Sequence, residues 1–255
     1  MSSRILYEHP LNERIRVFLR LEHLFSQISH FKNGYSVWDS HASVSALVEV
    51  ITILDRTDLR SEVLKELDRH RNELSRLLDI ANVDKGRLEK TLQELSHQSQ
   101  NVQRLPNKLS NRIRENDLLN SVRQRAVISG GTCSFDIPAY HYWLHQDPHI
   151  KSEALAQWLE EITPFYESIE LILALIRNST LFERQLAPNG FFQKSLETQY
   201  ACQLLRIALS TDSELYPEVS GNKHRINVRF MQYTDTGRPK QVLETLEFEM
   251  SCCAL

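Results

Sequence analysis

The stretch that decides the fold is His224-Arg225-Ile226-Asn227-Val228-Arg229-Phe230, in which apolar and polar side chains alternate. Successive side chains of a β-strand point to opposite faces, so a period of two predicts a strand with one buried and one solvated face. Residues 204–209 and 246–250 repeat the pattern. Turn-forming residues separate the three stretches, among them Pro217 and the Ser220-Gly221-Asn222 segment. We therefore predict a small antiparallel β domain, either a sheet or a sandwich.

On the N-terminal side of residue 187 the apolar residues recur at three- and four-residue steps, which is typical of amphipathic helices. The predicted helices cover residues 11–33, 44–54, 58–78, 84–95, 107–122, 152–162 and 164–178, with a short helix around 141–145. The glutamine-rich segment Ser96 to Gln103 is interpreted as a loop. Cys133 to Ile137 is predicted to be extended, and Pro138 to end that extended segment.

The predicted fold class is therefore α+β, with an N-terminal helical bundle-like domain followed by a small antiparallel β domain. The expected domains are residues 1–186 and 187–255, and segment 127–138 is a candidate to join the β domain.

Composition indicates an ordinary globular chain. Of the 255 residues, 41% are hydrophobic and 25% charged, and the formal net charge is −3, so gross charge does not favour nucleic acid or anionic lipid. The first eight residues lack the apolar run of a signal peptide, and the apolar stretch Ile169 to Ile176 is too short to span a bilayer. Four cysteines without a C-x-x-C pair agree with a cytoplasmic location.

Positive charge is nevertheless concentrated in two segments. Residues 104–125 carry six cations and two acids, and residues 221–240 carry five cations and one acid. Arg16 and Arg20 also lie one turn apart on the outer side of the first predicted helix. Such arginines are either ordinary solvated residues or a surface that binds carboxylates. Glu247 and Glu249 are candidates to pair across strands with Arg225 and Arg229, which would neutralise that part of the β domain.

Residues with catalytic or metal-binding potential are present, but their spacing favours structural roles. His141, His145 and His149 recur every four residues, yet Pro148 interrupts the helix that a metal site would need. Cys133 has no partner base at a recognisable spacing, so we interpret it as a packed core thiol. We therefore expect a protein that is not an enzyme and that uses no cofactor or metal.

Several motifs run in order along the chain. They are LYEHPLNERIR (6–16), LKELDR (64–69), VRQR (122–125), GGTCSFDIP (130–138) with His141, Trp143, Leu144 and His145, NGF (189–191), DSELYP (212–217), GNKHR (221–225) and Cys252-Cys253. Together they resemble the ZapD family, the FtsZ-associated cell-division factors, from residue 5 to residue 253.

The resemblance implies a homodimer that binds the C-terminal tail of FtsZ and cross-links FtsZ protofilaments into bundles, which promotes Z-ring assembly. It implies a cytoplasmic protein, recruited to the division ring at mid-cell, without nucleic-acid binding or membrane insertion. Asp117 departs from the basic residue expected there, which weakens that edge of the basic surface. The residues implied to bind the tail are Arg16, Arg20, Arg114, Arg123, Arg125, His141, Lys223, Arg225 and Arg229.

A second interpretation is a nucleic-acid-binding protein that uses the basic helix predicted at 104–125. The net charge and the absence of aromatic residues interleaved with those arginines disfavour it.

Overall fold

We describe the fold from a computed structural model, which describes residues 4–81, 83–105, 113, 115–196, 202–222, 224–234 and 237–254. The described helices are α1 (Glu13–Phe31), α2 (Val37–Arg56), α3 (Leu59–Ser75), α4 (Lys85–Arg104), α5 (Asp117–Arg125), α6 (Pro138–Leu144), α7 (Pro148–Glu160) and α8 (Thr163–Arg177).

The strands are β1 (Arg4–Pro10), β2 (Glu183–Ala187), β3 (Phe191–Ser195), β4 (Leu204–Ser210), β5 (Leu215–Gly221), β6 (Arg225–Gln232), β7 (Lys240–Gln241) and β8 (Leu246–Cys253). They form two antiparallel sheets. One has the order β1-β4-β8-β2, and the other has the order β3-β6-β5 with β7 also paired to β6. The predicted α+β class is confirmed.

The two sheets share one apolar core, as the alternating pattern predicts. Ile226, Val228 and Phe230 of β6 are fully buried, and they belong to the same cluster as Leu205 and Ile207 of β4. The core also contains Phe248 of β8, whose ring centroid lies 4.8 Å from that of Phe230. The inward faces predicted for β4, β6 and β8 are therefore confirmed, but the solvated second face predicted for residues 204–209 is wrong, because Leu204 and Ala208 are also buried.

By its contacts the chain divides into two compact units, Arg20–Ile172 and a second unit formed by Met1–Leu19 with Leu173–Leu255. Both ends of the chain thus belong to the sheet-containing unit, which we call the β unit. The N-terminal strand belongs there because β1 pairs along its whole length with β4, from Arg4 opposite Ser210 to Pro10 opposite Leu204. Strand β1 has no strong alternation of its own, so a division by periodicity at residue 187 does not coincide with these units.

A partly buried ion cluster holds β1 in the β unit. The Glu8 carboxylate accepts hydrogen bonds from Arg177 Nε at 2.9 Å and Nη2 at 2.6 Å, and from Arg206 Nε at 3.0 Å. All three side chains are mostly buried, so each charge depends on the others for compensation.

The unit Arg20–Ile172, which we call the helical unit, includes α2. This helix begins with a capping box in which Ser36 Oγ accepts from Asp39 N and the Asp39 carboxylate accepts from Ser36 N, both at 3.0 Å. Val44, Leu47 and Ile51 are buried, as expected for a central helix. Within the described residues, α2 alone is long and apolar enough to cross a membrane by length and composition, a test that core helices also pass.

Two segments of the helical unit differ from their predictions. Residues Ser96 to Gln103 are not a loop but the second half of α4, where Gln98, Ser99 and Val102 are buried. Residues Cys133 to Ile137 are not extended but form consecutive turns, with Asp136 N and Ile137 N both bonded to Cys133 O at 3.1 Å. Residues 107–112 and 114 of the helix predicted for 107–122 lie outside the described residues, and α5 begins after Asn116, whose side chain accepts from Leu119 N.

Three single-residue predictions are also corrected. Pro217 lies within β5 instead of in a turn, which is possible because β5 is an edge strand and no described strand pairs with its other side. Glu66, which the three- and four-residue steps of the helix predicted at 58–78 place on its outward side, is 1% exposed and paired with Arg69. Cys133 is only partly buried, and its thiol donates to Asp136 Oδ2 at 3.2 Å.

Candidate partner-binding surfaces

The first candidate surface lies on α1. The side chain of Asn12 caps this helix by accepting a hydrogen bond from Ile15 N at 2.9 Å, and Ile15 and Phe18 point into the core. Arg16 and Arg20 therefore face outward, one turn and about 6 Å apart along the axis. Arg16 is half exposed and its Nε lies 3.1 Å from Glu13 Oε2. Arg20 is exposed, and no described residue forms an ion pair with it.

The charge of Arg16 also affects His9 in the neighbouring strand β1. The pKa of His9 in β1 is lowered, first by partial burial and then by the Arg16 guanidinium. Both effects favour a neutral imidazole, so His9 adds no positive charge beside Arg16 near neutral pH.

The second candidate surface, at the C-terminal end of α5, is already paired. Arg123 forms a hydrogen-bonded ion pair with Asp55 of α2, and Arg125 Nη1 lies 3.6 Å from Asp136 Oδ1. Both pairs are partly exposed, so each stabilises the fold little, but a ligand carboxylate would have to compete with an acid already in place. Arg114, which was predicted to belong here, lies outside the described residues.

The third candidate, His141, is presented by the short helix α6. Pro138 begins this helix, and the fully buried Tyr140 anchors it to α2 through a 3.0 Å hydrogen bond between its hydroxyl and His41 Nδ1. Burial lowers the pKa of His41 and raises that of Tyr140, so both stay neutral near pH 7. The His141 ring is exposed and lies 4.4 Å from the ring of His145.

The fourth candidate surface lies on β6. Arg225 and Arg229 are exposed on the same outward face, about 13 Å apart along the strand. Lys223, predicted with them, lies outside the described residues. Across from Arg229 stand Phe191 of β3 and Glu218 of β5.

The predicted neutralisation of Arg225 and Arg229 is wrong. Glu247 and Glu249 belong to β8, which is in the other sheet, and they pair with Arg184 at 3.4 Å and with Arg4 at 2.5 Å. Among the described residues, no ion pair involves Arg225 or Arg229, so these two guanidinium groups are available to a ligand.

Large exposed aromatic residues were missed as candidates. Phe135, Tyr142 and Trp38 are 82%, 71% and 77% exposed, and all three belong to the helical unit. Two of them carried a signal in the sequence, because Phe135 lies within the GGTCSFDIP motif and Tyr142 follows His141 directly. Exposed aromatic side chains are enriched at protein interfaces.

Comparison with known proteins decides the family. The sequence model of the ZapD family, described as a cell division protein, matches residues 19–229. Two cell division proteins named ZapD are similar over nearly the whole length. The protein from Methylococcus capsulatus is 41% identical over 255 residues, covering 100% of both chains. The protein from Aromatoleum aromaticum is 38% identical over 251 residues, covering 98% of both chains. The chain belongs to the ZapD family.

Membership in the ZapD family assigns the chain to a family of cell division proteins and confirms the resemblance inferred from the motifs. The family model begins after Arg16, whereas the relative from Methylococcus capsulatus also spans the α1 surface.

The ZapD-like motif at 130–138 has a structural role beside Arg125. Gly131 is buried so tightly that an added Cβ would lie 2.3 Å from the backbone oxygen of Arg125. Gly130 has φ +70°, in the left-handed region that favours glycine. The two glycines thus allow the turns that follow α5 and bring Asp136 to Arg125.

Proposed function

We propose that this chain binds the C-terminal tail of FtsZ as a homodimer and cross-links FtsZ protofilaments into bundles at the division ring. The observation that carries the proposal is a set of exposed arginines that form no ion pair with any described residue, namely Arg20 on α1 and Arg225 and Arg229 on β6, in a chain of the ZapD family. Arg20, Arg225 and Arg229 are the principal tail-binding residues in this proposal, and Arg16 and His141 are further candidates.

Electrostatics support a tail-binding role over a general polyanion-binding one. The net charge is −3, so positive potential is local. Guanidinium groups bind carboxylates through two parallel N–H donors, which suits an acidic peptide. A dimer holds two such surfaces, so after one tail is bound the second meets a high local concentration of tails on a neighbouring filament. Weak individual contacts then suffice for bundling.

The proposal is tested by co-sedimentation of the purified chain with polymerised FtsZ. We expect the chain to pellet with full-length FtsZ, to remain soluble with FtsZ lacking its C-terminal tail, and to pellet less as salt rises, because exposed charges are screened. Equal pelleting with both forms of FtsZ would contradict tail recognition. Light scattering coupled to gel filtration measures the expected dimer.

Charge reversal of the α1 arginines tests whether this helix is part of the binding surface. The double variant R16E/R20E should weaken binding at least about 10-fold, because each charge-assisted hydrogen bond is worth about 1.5–3 kcal/mol. The matched control R87E/K90E changes the charge equally at exposed positions of α4 and should bind like wild type. Equal weakening by the control would mean that overall charge, and not α1, governs binding.

The pairing pattern also predicts an order among single variants. R20E should weaken binding more than R123E, because the Arg123 guanidinium is already held by Asp55. The reverse order would move the binding surface from α1 to the end of α5.

A further inference from the structure

A covalent link in the β unit joins the segment just before β4 to strand β8. Cys202 and Cys252 form a disulfide with a Cα–Cα distance of 5.6 Å, and 50 residues separate them in sequence. Cys202 lies two residues before β4, and Cys252 lies near the end of β8 opposite Leu205. The bond therefore closes a chain segment that includes β4, β5, β6 and most of β8.

The backbone already holds these cysteines close together without the bond. Strands β4 and β8 pair from Leu204 opposite Cys253 onward, and Gln203 N donates to Cys253 O at 2.8 Å. Reduction therefore does not require the strands to separate. The two thiols would stay within reach of each other, which is the condition for repeated opening and closing of a disulfide.

The two sulfur atoms differ in access. Cys202 is 7% exposed, whereas Cys252 is only partly buried and can be reached from solvent. Cys253 alternates to the other face, is fully buried and has its pKa raised by burial, which disfavours its thiolate. Cys133 belongs to the other unit. Cys252 is therefore the attacking thiol and Cys202 the resolving thiol.

We propose that Cys202 and Cys252 form a reversible redox site that reacts with small-molecule disulfides such as oxidised glutathione. The Cys252 thiolate attacks one glutathione sulfur, forming a mixed disulfide and releasing one glutathione thiolate. The Cys202 thiolate then attacks Cys252 Sγ, forming the protein disulfide and releasing the second glutathione. Two protein thiols are oxidised, one glutathione disulfide is reduced, and the two protons end on the two glutathione molecules.

The structural consequence of forming the disulfide is expected at the start of α1. Gln203, next to Cys202, accepts from Leu11 N through its backbone oxygen at 2.9 Å, and its side chain lies 3.4 Å from Asn12 Nδ2. Asn12 is the capping residue of α1. Oxidation would thus fix the residue that holds the β1–α1 junction. This inference does not depend on binding to FtsZ.

The test uses the full chain equilibrated in glutathione buffers of increasing oxidised fraction, quenched with an alkylating agent and weighed by mass spectrometry. Four alkylated thiols are expected on the reduced side and two on the oxidised side, with peptide mapping that joins Cys202 to Cys252. The oxidised form should melt about 5–10 °C higher, because the bond closes a long loop. Amide hydrogen exchange at Leu11 should slow by at least about 10-fold.

Matched variants separate this pair from the other cysteines. C202S and C252S should each abolish the transition, whereas C253S should preserve it. Four free thiols at every glutathione ratio would overturn the proposal, and so would a bond that dithiothreitol does not reduce in the folded protein. Disulfide-linked dimers in place of the internal bond would also overturn it. Peptide mapping of the wild-type chain decides the question even if a serine variant does not fold.

Discussion

Acidification between pH 7 and pH 5 should destabilise the helical unit through His70. This side chain lies on α3, is 0% exposed, and its Nδ1 has no hydrogen-bond partner among the described residues. Nε2 lies 3.4 Å from Arg69 Nη2 and 3.7 Å from Glu66 Oε2. The pKa of His70 is lowered to about 4, chiefly by burial and then by the Arg69 guanidinium, while Glu66 opposes the shift.

The sign and size of the effect follow from linkage. A histidine with a pKa of about 6.5 in the unfolded chain and about 4 in the folded chain binds more protons when unfolded. Its contribution to stability is therefore complete above pH 6.5 and is lost as pH falls toward 4. Between pH 7 and pH 5 the free energy of unfolding should fall by about 2 kcal/mol from His70 alone.

Urea unfolding followed by tryptophan fluorescence measures this effect in the correct unit. The three tryptophans, Trp38, Trp143 and Trp158, all belong to the helical unit, as does His70. The variant H70Q removes the titrating group, so its unfolding free energy should fall less than that of wild type over the same pH interval. Comparing the two pH slopes cancels the constant cost of the substitution and the contributions of other histidines.

The matched control is H97Q, which replaces an exposed histidine of α4 in the same unit. Its pH slope should equal that of wild type. If H70Q loses as much stability as wild type between pH 7 and pH 5, His70 is not the group responsible. That result would mean that Glu66 keeps the imidazole charged in the folded state despite its burial.

Two further substitutions test local packing by urea unfolding. Y140F removes the hydroxyl bonded to His41 and should lower the free energy of unfolding by about 1 kcal/mol. The control Y142F, at an exposed position, should lower it by nothing measurable. Equal effects of the two variants would show that the bond to His41 does not stabilise α6. G190A places a Cβ 2.2 Å from a backbone oxygen at φ +64° and should cost at least about 2 kcal/mol. G237A, at φ +71° in open space, should cost only about 1 kcal/mol, and equal losses would exclude crowding as the cause.

Periodicity predicted the elements in which apolar residues recur at regular steps within the element itself. The alternation in β6 and the three- and four-residue steps of α1 were sufficient to place those elements, whereas α2 was predicted only over 44–54 and begins already at Val37. The second half of α4 was missed because its buried face is polar. Gln98 and Ser99 are buried there beside Val102, and a buried glutamine looks like a loop residue when only composition is considered.

Sheet partners were predicted less well, because pairing depends on residues far apart in the chain. Glu249 and Arg229 both face outward on strands of the same domain, which made them natural partners by sequence. The strand order separates them, since β8 pairs with β4 and β2, and β6 pairs with β3, β5 and β7. Local alternation determines which face a residue occupies but does not determine which strand lies beside it.

The candidate binding residues show the same difference between what a local pattern indicates and which distant residues lie beside it. A count of charges gives residues 104–125 and 221–240 the same local excess, yet Arg123 and Arg125 have acidic partners whereas Arg225 and Arg229 have none among the described residues. The partner of Arg123 is Asp55, 68 residues away, so no local pattern could indicate the pair. A guanidinium group that is already paired with a carboxylate must break that ion pair to bind a ligand, whereas an unpaired one loses only its bound water. For the proposed tail binding, the surfaces are therefore ranked by guanidinium groups that form no ion pair with a described residue, which places Arg20 of α1 and the two β6 arginines ahead of the end of α5.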